Sequence, residues 1–188
     1  MLKRSLLATL VLLLAACSSN HKQEEHTKTQ KKVVTKPKNT ITLTDLQNNN
    51  YIIKETPLGL TLQEPKKKLL LVDIFATWCP PCQAEASVLS ALKKKYDKEI
   101  TILGISVEEG LPATQLQAFA KEFGAEYALI TSNERGRILR KVTQDLKIGN
   151  NFGIPLLALY KDGKVIHYFQ GAVEEEFLES TIKQALKK

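Results

Sequence analysis

The stretch Leu69-Leu70-Leu71-Val72-Asp73-Ile74-Phe75-Ala76 is apolar except for one carboxylate, lacks the alternation of a half-exposed strand, and leads into Thr77-Trp78-Cys79-Pro80-Pro81-Cys82. A run of this kind reads as a strand covered on both faces. From Gln83 to Tyr96 the pattern changes: Val88, Leu89 and Leu92 fall on one helical stripe that Glu85 shares, and Lys93, Lys94 and Lys95 close it where cations suit the helix dipole. Two thiols three positions apart therefore straddle the junction between a buried strand and a helix N-terminus, where proline is tolerated because the first turn has no use for its missing N–H.

That junction suits reversible disulfide chemistry. The attacking species is a thiolate, and free backbone N–H groups together with the helix dipole stabilise one at the first cysteine. Cys79 is expected to be the nucleophile, with an exposed and partly ionised sulfur, and Cys82, one turn in, the resolving thiol. Pro80 and Pro81 offer no N–H, so part of the usual donor set is missing. The Cys79 pKa is then expected to be only modestly depressed, which favours reducing substrates over oxidising them. Zinc needs about four ligands, and beyond this pair there are only Cys17, His21 and His26 near the N-terminus, and His167. Haem attachment needs His after the second cysteine, where Gln83 stands. No metal or cofactor is expected. A purely structural disulfide is the plain alternative, but closing so short a loop stabilises little.

The N-terminus accounts for the third cysteine. Met1-Leu2-Lys3-Arg4, an apolar run from Leu6 to Leu14 and then Ala15-Ala16-Cys17 have the form of a secretory signal, and the run is shorter than the roughly 20 residues that span a bilayer. Leu14-Ala15-Ala16-Cys17 resembles a bacterial lipobox, which implies removal of residues 1–16 and lipidation of Cys17. The polar stretch up to Thr40, rich in Lys, Gln and Thr, lacks the apolar content for a core and reads as a tether, with a reach on the order of 25 Å as a flexible coil. These two segments also hold most of the net charge of +7, leaving 19 basic against 18 acidic residues from Ile41 onward. A near-neutral folded part, residues 41–188, gives nucleic-acid binding no electrostatic footing.

Along that part, Ile41–Leu46 and Tyr51–Thr56 read as a hairpin around Gln47-Asn48-Asn49-Asn50, and Glu99–Val107 as a second buried strand. Pro112 opens a helix carrying Leu116, Phe119, Ala120 and Phe123, with Gly124 as its stop. Tyr127–Thr131 reads as a strand, and Ile138, Leu139 and Val142 mark a helix. Strands separated by helices argue for parallel pairing. Asp162-Gly163 then joins Pro155–Tyr160 and Lys164–Phe169 as an antiparallel hairpin, and a final helix carries Val173, Phe177, Leu178, Ile182, Ala185 and Leu186.

The segment from Val72 to Cys82 resembles the active site of the thioredoxin superfamily. Phe152-Gly153-Ile154-Pro155, Lys161-Asp162-Gly163-Lys164 and Gly171 resemble its cis-proline loop, hairpin and following glycine. The helix and strand inserted between Pro112 and Thr131 are similar to the TlpA/ResA-like branch of membrane-tethered extracytoplasmic thiol:disulfide oxidoreductases. The resemblance implies a thioredoxin-like α/β fold with a central mixed sheet, flanking helices, an N-terminal β-hairpin and an inserted helix-strand unit. It implies a cis bond between Ile154 and Pro155, whose neighbourhood binds substrate backbone, and a Trp78 that shields a redox-active Cys79–Cys82 disulfide. It makes Asp73 the acid that deprotonates Cys82, a role that suits a lone carboxylate in an apolar strand. Glu85 matches an acid of ResA-like proteins, although a Glu in a first turn is also good helix chemistry. Two departures, Leu156 after the proline and Gly149-Asn150-Asn151-Phe152 before it, are expected to alter the substrate groove. The expected activity is dithiol exchange that reduces protein disulfides on the periplasmic side of a membrane. The partners implied are a membrane thiol donor and substrates such as cytochrome c precursors. A disulfide oxidant or isomerase, or a non-catalytic binding module, stands as the alternative.

Overall fold

The computed structural model describes residues 39–64 and 67–187, which belong to one compact unit, Lys36–Lys188. The expected signal segment 1–16, the lipidated Cys17 and the tether up to residue 38 lie outside the described residues. Three strands come first: β1 (Thr40–Thr44), β2 (Asn50–Thr56) and β3 (Gly59–Leu62) form an antiparallel sheet. The expected hairpin is therefore one strand larger. β3 is four residues long and follows the Pro57-Leu58 turn, too short to carry a period of its own.

The centre of the molecule is β4 (Leu69–Phe75), buried at every residue. It is followed by α1 (Pro80–Lys95), β5 (Ile100–Ser106), α2 (Ala113–Phe123), β6 (Ala128–Leu129), α3 (Arg135–Leu146), β7 (Leu156–Lys161), β8 (Lys164–Gln170) and α4 (Glu175–Lys187). The second sheet has the order β6-β5-β4-β7-β8, parallel from β6 to β4 and antiparallel from β4 to β8. This is a thioredoxin-like α/β fold. β6 is shorter than the expected Tyr127–Thr131 because the chain is taken over by the first sheet: Ile130 bridges Asp45, and the Thr131 N–H donates to the Thr44 carbonyl at 2.9 Å.

Alternation along β4 sorts its side chains between two cores. Leu69, Leu71 and Phe75 pack with Ala86, Leu89 and Leu92 of α1 and with Leu178, Ile182 and Ala185 of α4. Leu70, Val72 and Ile74 pack with Ile138 and Val142 of α3 and with Ile41, Leu43, Ile53 and Leu60 of the first sheet. Asp73 is in phase with Leu71 and Phe75, so it enters the α1 core, beside the helix that carries both cysteines. Among the described residues no helix is long and apolar enough to cross a membrane.

Candidate active site

β4 ends at Phe75, and after a turn of four residues α1 begins with Pro80 and Pro81 at its first two positions and Cys79 as its N-cap. Thr77, in the intervening turn, is gripped on three sides. Its N–H and hydroxyl donate to the Glu108 carboxylate at 2.7 and 2.9 Å, and its carbonyl accepts from Gln83 Nε2 at 2.7 Å. Glu108 is itself held by the Ser106 hydroxyl at 3.0 Å, just beyond the end of β5. The turn that presents the cysteines is thus clamped by a charge-assisted pair of hydrogen bonds from the neighbouring strand.

Cys79 and Cys82 are joined as a disulfide, with Cα atoms 5.3 Å apart. The Cys79 N–H donates to the Ala76 carbonyl at 3.2 Å, and the Gln83 N–H to the Cys79 carbonyl at 3.0 Å. The bond between Ile154 and Pro155 is cis, and the Ile154 carbonyl oxygen lies 3.8 Å from Cys79 Sγ. Each cysteine is only 3% exposed. This corrects the expectation of an exposed sulfur at position 79: in the oxidised pair it is turned into the apolar core, between the helix start and the cis-proline loop. Trp78, by contrast, is 66% exposed and lines a cleft of about 250 Å³ with Gln83, Gln115, Phe119 and Glu122 of α1 and α2.

Two buried acids enter the core layer that holds the pair, Asp73 from β4 and Glu85 from α1, three residues after Cys82. Asp73 Oδ2 accepts the Tyr127 hydroxyl at 2.8 Å, and Oδ1 has no partner. Burial pushes Asp73 up to about 7, opposed by that hydrogen bond. Both Glu85 carboxylate oxygens are buried without a hydrogen bond. Burial, then the charge of Asp73, push Glu85 up to about 8, while the Val173 N–H, outside hydrogen-bonding geometry, favours the charged form weakly. Tyr127 is held well above its ordinary value by burial and by the two carboxylates. The site can therefore keep a proton on Glu85 and exchange one at Asp73 close to neutrality. Among the described residues no group of three or more His, Cys, Asp or Glu could hold a metal ion.

Residues 34–186 match the model of the Redoxin family. The chain belongs to that family, within the thioredoxin superfamily. It is 26% identical to the thiol-disulfide oxidoreductase ResA of Bacillus thuringiensis subsp. konkukian, covering 98% of each chain. It is 27% identical to the thiol:disulfide interchange protein DsbE of Haemophilus influenzae, covering 97% of this chain and 94% of that one. A shorter match, 39% identical over 59 residues, spans 44% of Thioredoxin H4 of Arabidopsis thaliana. In three dimensions the chain is similar to a thioredoxin-family thiol:disulfide interchange protein of Chlorobium tepidum, with a TM-score of 0.62 at 21% identity over 78% of this chain and 93% of that one. With its Cys79–Cys82 pair, the protein is a thiol:disulfide oxidoreductase of the ResA/DsbE type.

The fold brings Asp73, Cys79, Cys82, Glu85, Ile154 and Pro155 together and sets Trp78 at the margin. Leu156, expected to reshape the groove, is fully buried with the α3 core, so its side chain lines no groove. Sequence reasoning passed over Glu108 and Tyr127. Glu108 had a signal, an acid at the C-terminal end of a buried strand, where α/β sheets place their sites. Tyr127 had only its polar tip in an otherwise apolar stretch.

Proposed function

We propose that this enzyme reduces disulfides of exported proteins, with Cys79 as nucleophile, Cys82 as resolving thiol and Asp73 and Glu85 as the proton-handling acids. The observation that carries the reducing direction is the composition of the first turn of α1. Pro80 and Pro81 have no N–H, and that of Cys79 is spent on Ala76, so Cys82 is the first residue of α1 with an N–H to offer the Cys79 sulfur. A thiolate with few donors is weakly stabilised, and a dithiol form that is weakly stabilised gives up its electrons readily.

In the reaction, the Cys79 thiolate attacks a substrate disulfide; one substrate sulfur bonds to Cys79 and the other leaves with the electron pair and takes up a proton. Cys82 then gives its proton to Asp73 and its sulfur bonds to Cys79, releasing the second substrate thiolate. Glu85, neutral at pH 7 with its pKa near 8, holds a further proton in the same pocket. The substrate strand lies along Ile154 and Pro155, with Trp78 flanking it. The Cys79 sulfur is covered in the oxidised form, and a membrane dithiol donor restores the dithiol by docking at the same loop.

The N-terminal pattern supports an extracytoplasmic location: residues 1–16 as a cleaved signal, Cys17 as a lipid anchor, residues 17–40 as a tether and 41–188 as the catalytic domain, acting on substrates such as cytochrome c precursors. The test is trapping. A Cys82→Ser variant expressed in the native host should accumulate mixed disulfides through Cys79 whose protein adducts mass spectrometry identifies. Absence of adducts, together with failure of the wild type to reduce insulin, would sink the enzymatic assignment of direction and substrate. Retention in the membrane fraction that is lost in Cys17→Ser checks the anchor separately.

A further inference from the structure

Asp73 faces Gly104 across the parallel ladder of β4 and β5, and Gly104 is the one position of β5 without a side chain. A Cβ at Gly104 would lie 2.6 Å from Leu129 Cδ2, 2.9 Å from Tyr127 Cε2 and 3.3 Å from Phe75 Cε1. In a close-packed interior such contacts force a shift. The Tyr127 ring thus occupies space that any other residue at 104 would claim, and from there its hydroxyl reaches Asp73 at 2.8 Å. Tyr127 belongs to the unit inserted between β5 and α3, which shares a core cluster with both cysteines and lines the cleft at Trp78.

We infer that Tyr127 is a positioning residue for disulfide exchange: it donates its hydroxyl to Asp73 Oδ2, fixes that carboxyl group with Oδ1 left free to take the Cys82 proton, and is admitted to the site by Gly104. The inference rests on the reading of Asp73 as the base for Cys82. The surroundings require such a donor. Opposite Asp73, β5 presents Gly104 and β7 presents Leu157, Glu85 of α1 acts on it electrostatically, and the inserted unit presents Tyr127; the two cysteines lie in the core cluster that this face of β4 enters. Burial favours the neutral acid, and the tyrosine hydroxyl is the influence that opposes it. A hydroxyl that donates to a carboxylate stabilises the charged form, and Tyr127, its own pKa held high, does not give up the proton. In the step concerned, the Cys82 S–H passes its proton to Asp73, the Cys82–Cys79 bond forms, the bond from Cys79 to the substrate sulfur breaks, and the electron pair leaves on the substrate thiolate.

The experiment mixes the reduced, purified full chain, carrying Cys17→Ser so that Cys79 and Cys82 are its two thiols, with one equivalent of dithiobis-nitrobenzoate. The first nitrothiolate released reports attack by Cys79 and the second reports resolution by Cys82, followed by absorbance across pH. In the wild type the second rate should rise through an inflection set by Asp73. Tyr127→Phe keeps the ring and removes the hydroxyl, and should move that inflection upward by about one pH unit. Gly104→Ala keeps the hydroxyl and removes its room, and should move the inflection the same way. Asp73→Asn should abolish it. An inflection unmoved in Tyr127→Phe but lost in Asp73→Asn overturns the role of Tyr127 while leaving the base in place. A slowing of both releases without a shift marks a merely structural tyrosine and overturns it equally. An inflection that survives Asp73→Asn removes the base itself, and the inference with it. No shift in Gly104→Ala refutes the part given to the glycine.

Discussion

Glu85→Gln should flatten the dependence of stability on pH, and the size of the effect follows from the site. In the unfolded chain the carboxyl ionises near 4.5, whereas in the fold burial and the neighbouring Asp73 push it to about 8. A folded pKa above the unfolded one means that stability is complete below the unfolded value and is lost as pH rises towards the folded value. From about pH 4 upward the unfolded chain releases a proton that the folded protein keeps, and by pH 7 the loss amounts to about 3 kcal/mol. That is a large share of the roughly 5–15 kcal/mol that holds a domain together. Glutamine has the same shape and no titration, so the variant should not lose this increment. Its amide is as buried as the acid was, so absolute stability is no guide; the change of slope is. The measurement is urea unfolding of the oxidised protein, whose cysteines do not titrate, between about pH 4 and pH 7. Relative to wild type the variant should gain about 3 kcal/mol across that range, while Asp73, raised to about 7, keeps its own downward trend in both proteins. Parallel curves for the two proteins would refute the claim that Glu85 is held protonated by its surroundings.

Glu108→Gln should weaken the grip on Thr77 by replacing a carboxylate that accepts two hydrogen bonds with an amide, at a cost of about 1–3 kcal/mol read as a lower thermal midpoint, and should slow insulin reduction because the turn before Cys79 loosens. Ser90→Ala should cost a similar ~1–3 kcal/mol, since the Ser90 hydroxyl donates to the Gly124 carbonyl and accepts from the Glu126 N–H, both at 2.7 Å, tying α1 to the inserted unit. A lower urea midpoint with an unchanged slope is the expected result, because the loss is of contacts and not of compactness.

Much of this molecule could be read along the chain because its signals are local. The unbroken apolar run of β4, the helical stripe of Leu89 and Leu92, the thiols at the strand-to-helix junction and the Asp162-Gly163 turn each depend on residues within a few positions of one another. Even the cis bond at Pro155 was anticipated, through likeness to a family. β3 was missed because four residues carry no period, and β6 was overestimated because its far end leaves the sheet for β1.

The sequence by itself determined that a buried strand would deliver two cysteines and one acid to a helix N-terminus, since hydrophobic periodicity and proline chemistry act over short range. Only the tertiary structure decided that the Cys79 sulfur is covered when oxidised, that Glu108 clamps Thr77 from just beyond the next strand, and that the gap left by Gly104 lets Tyr127 reach Asp73. Those outcomes come from register and close packing between segments 23 to 75 residues apart, and registers between distant strands leave no period in the chain that forms them.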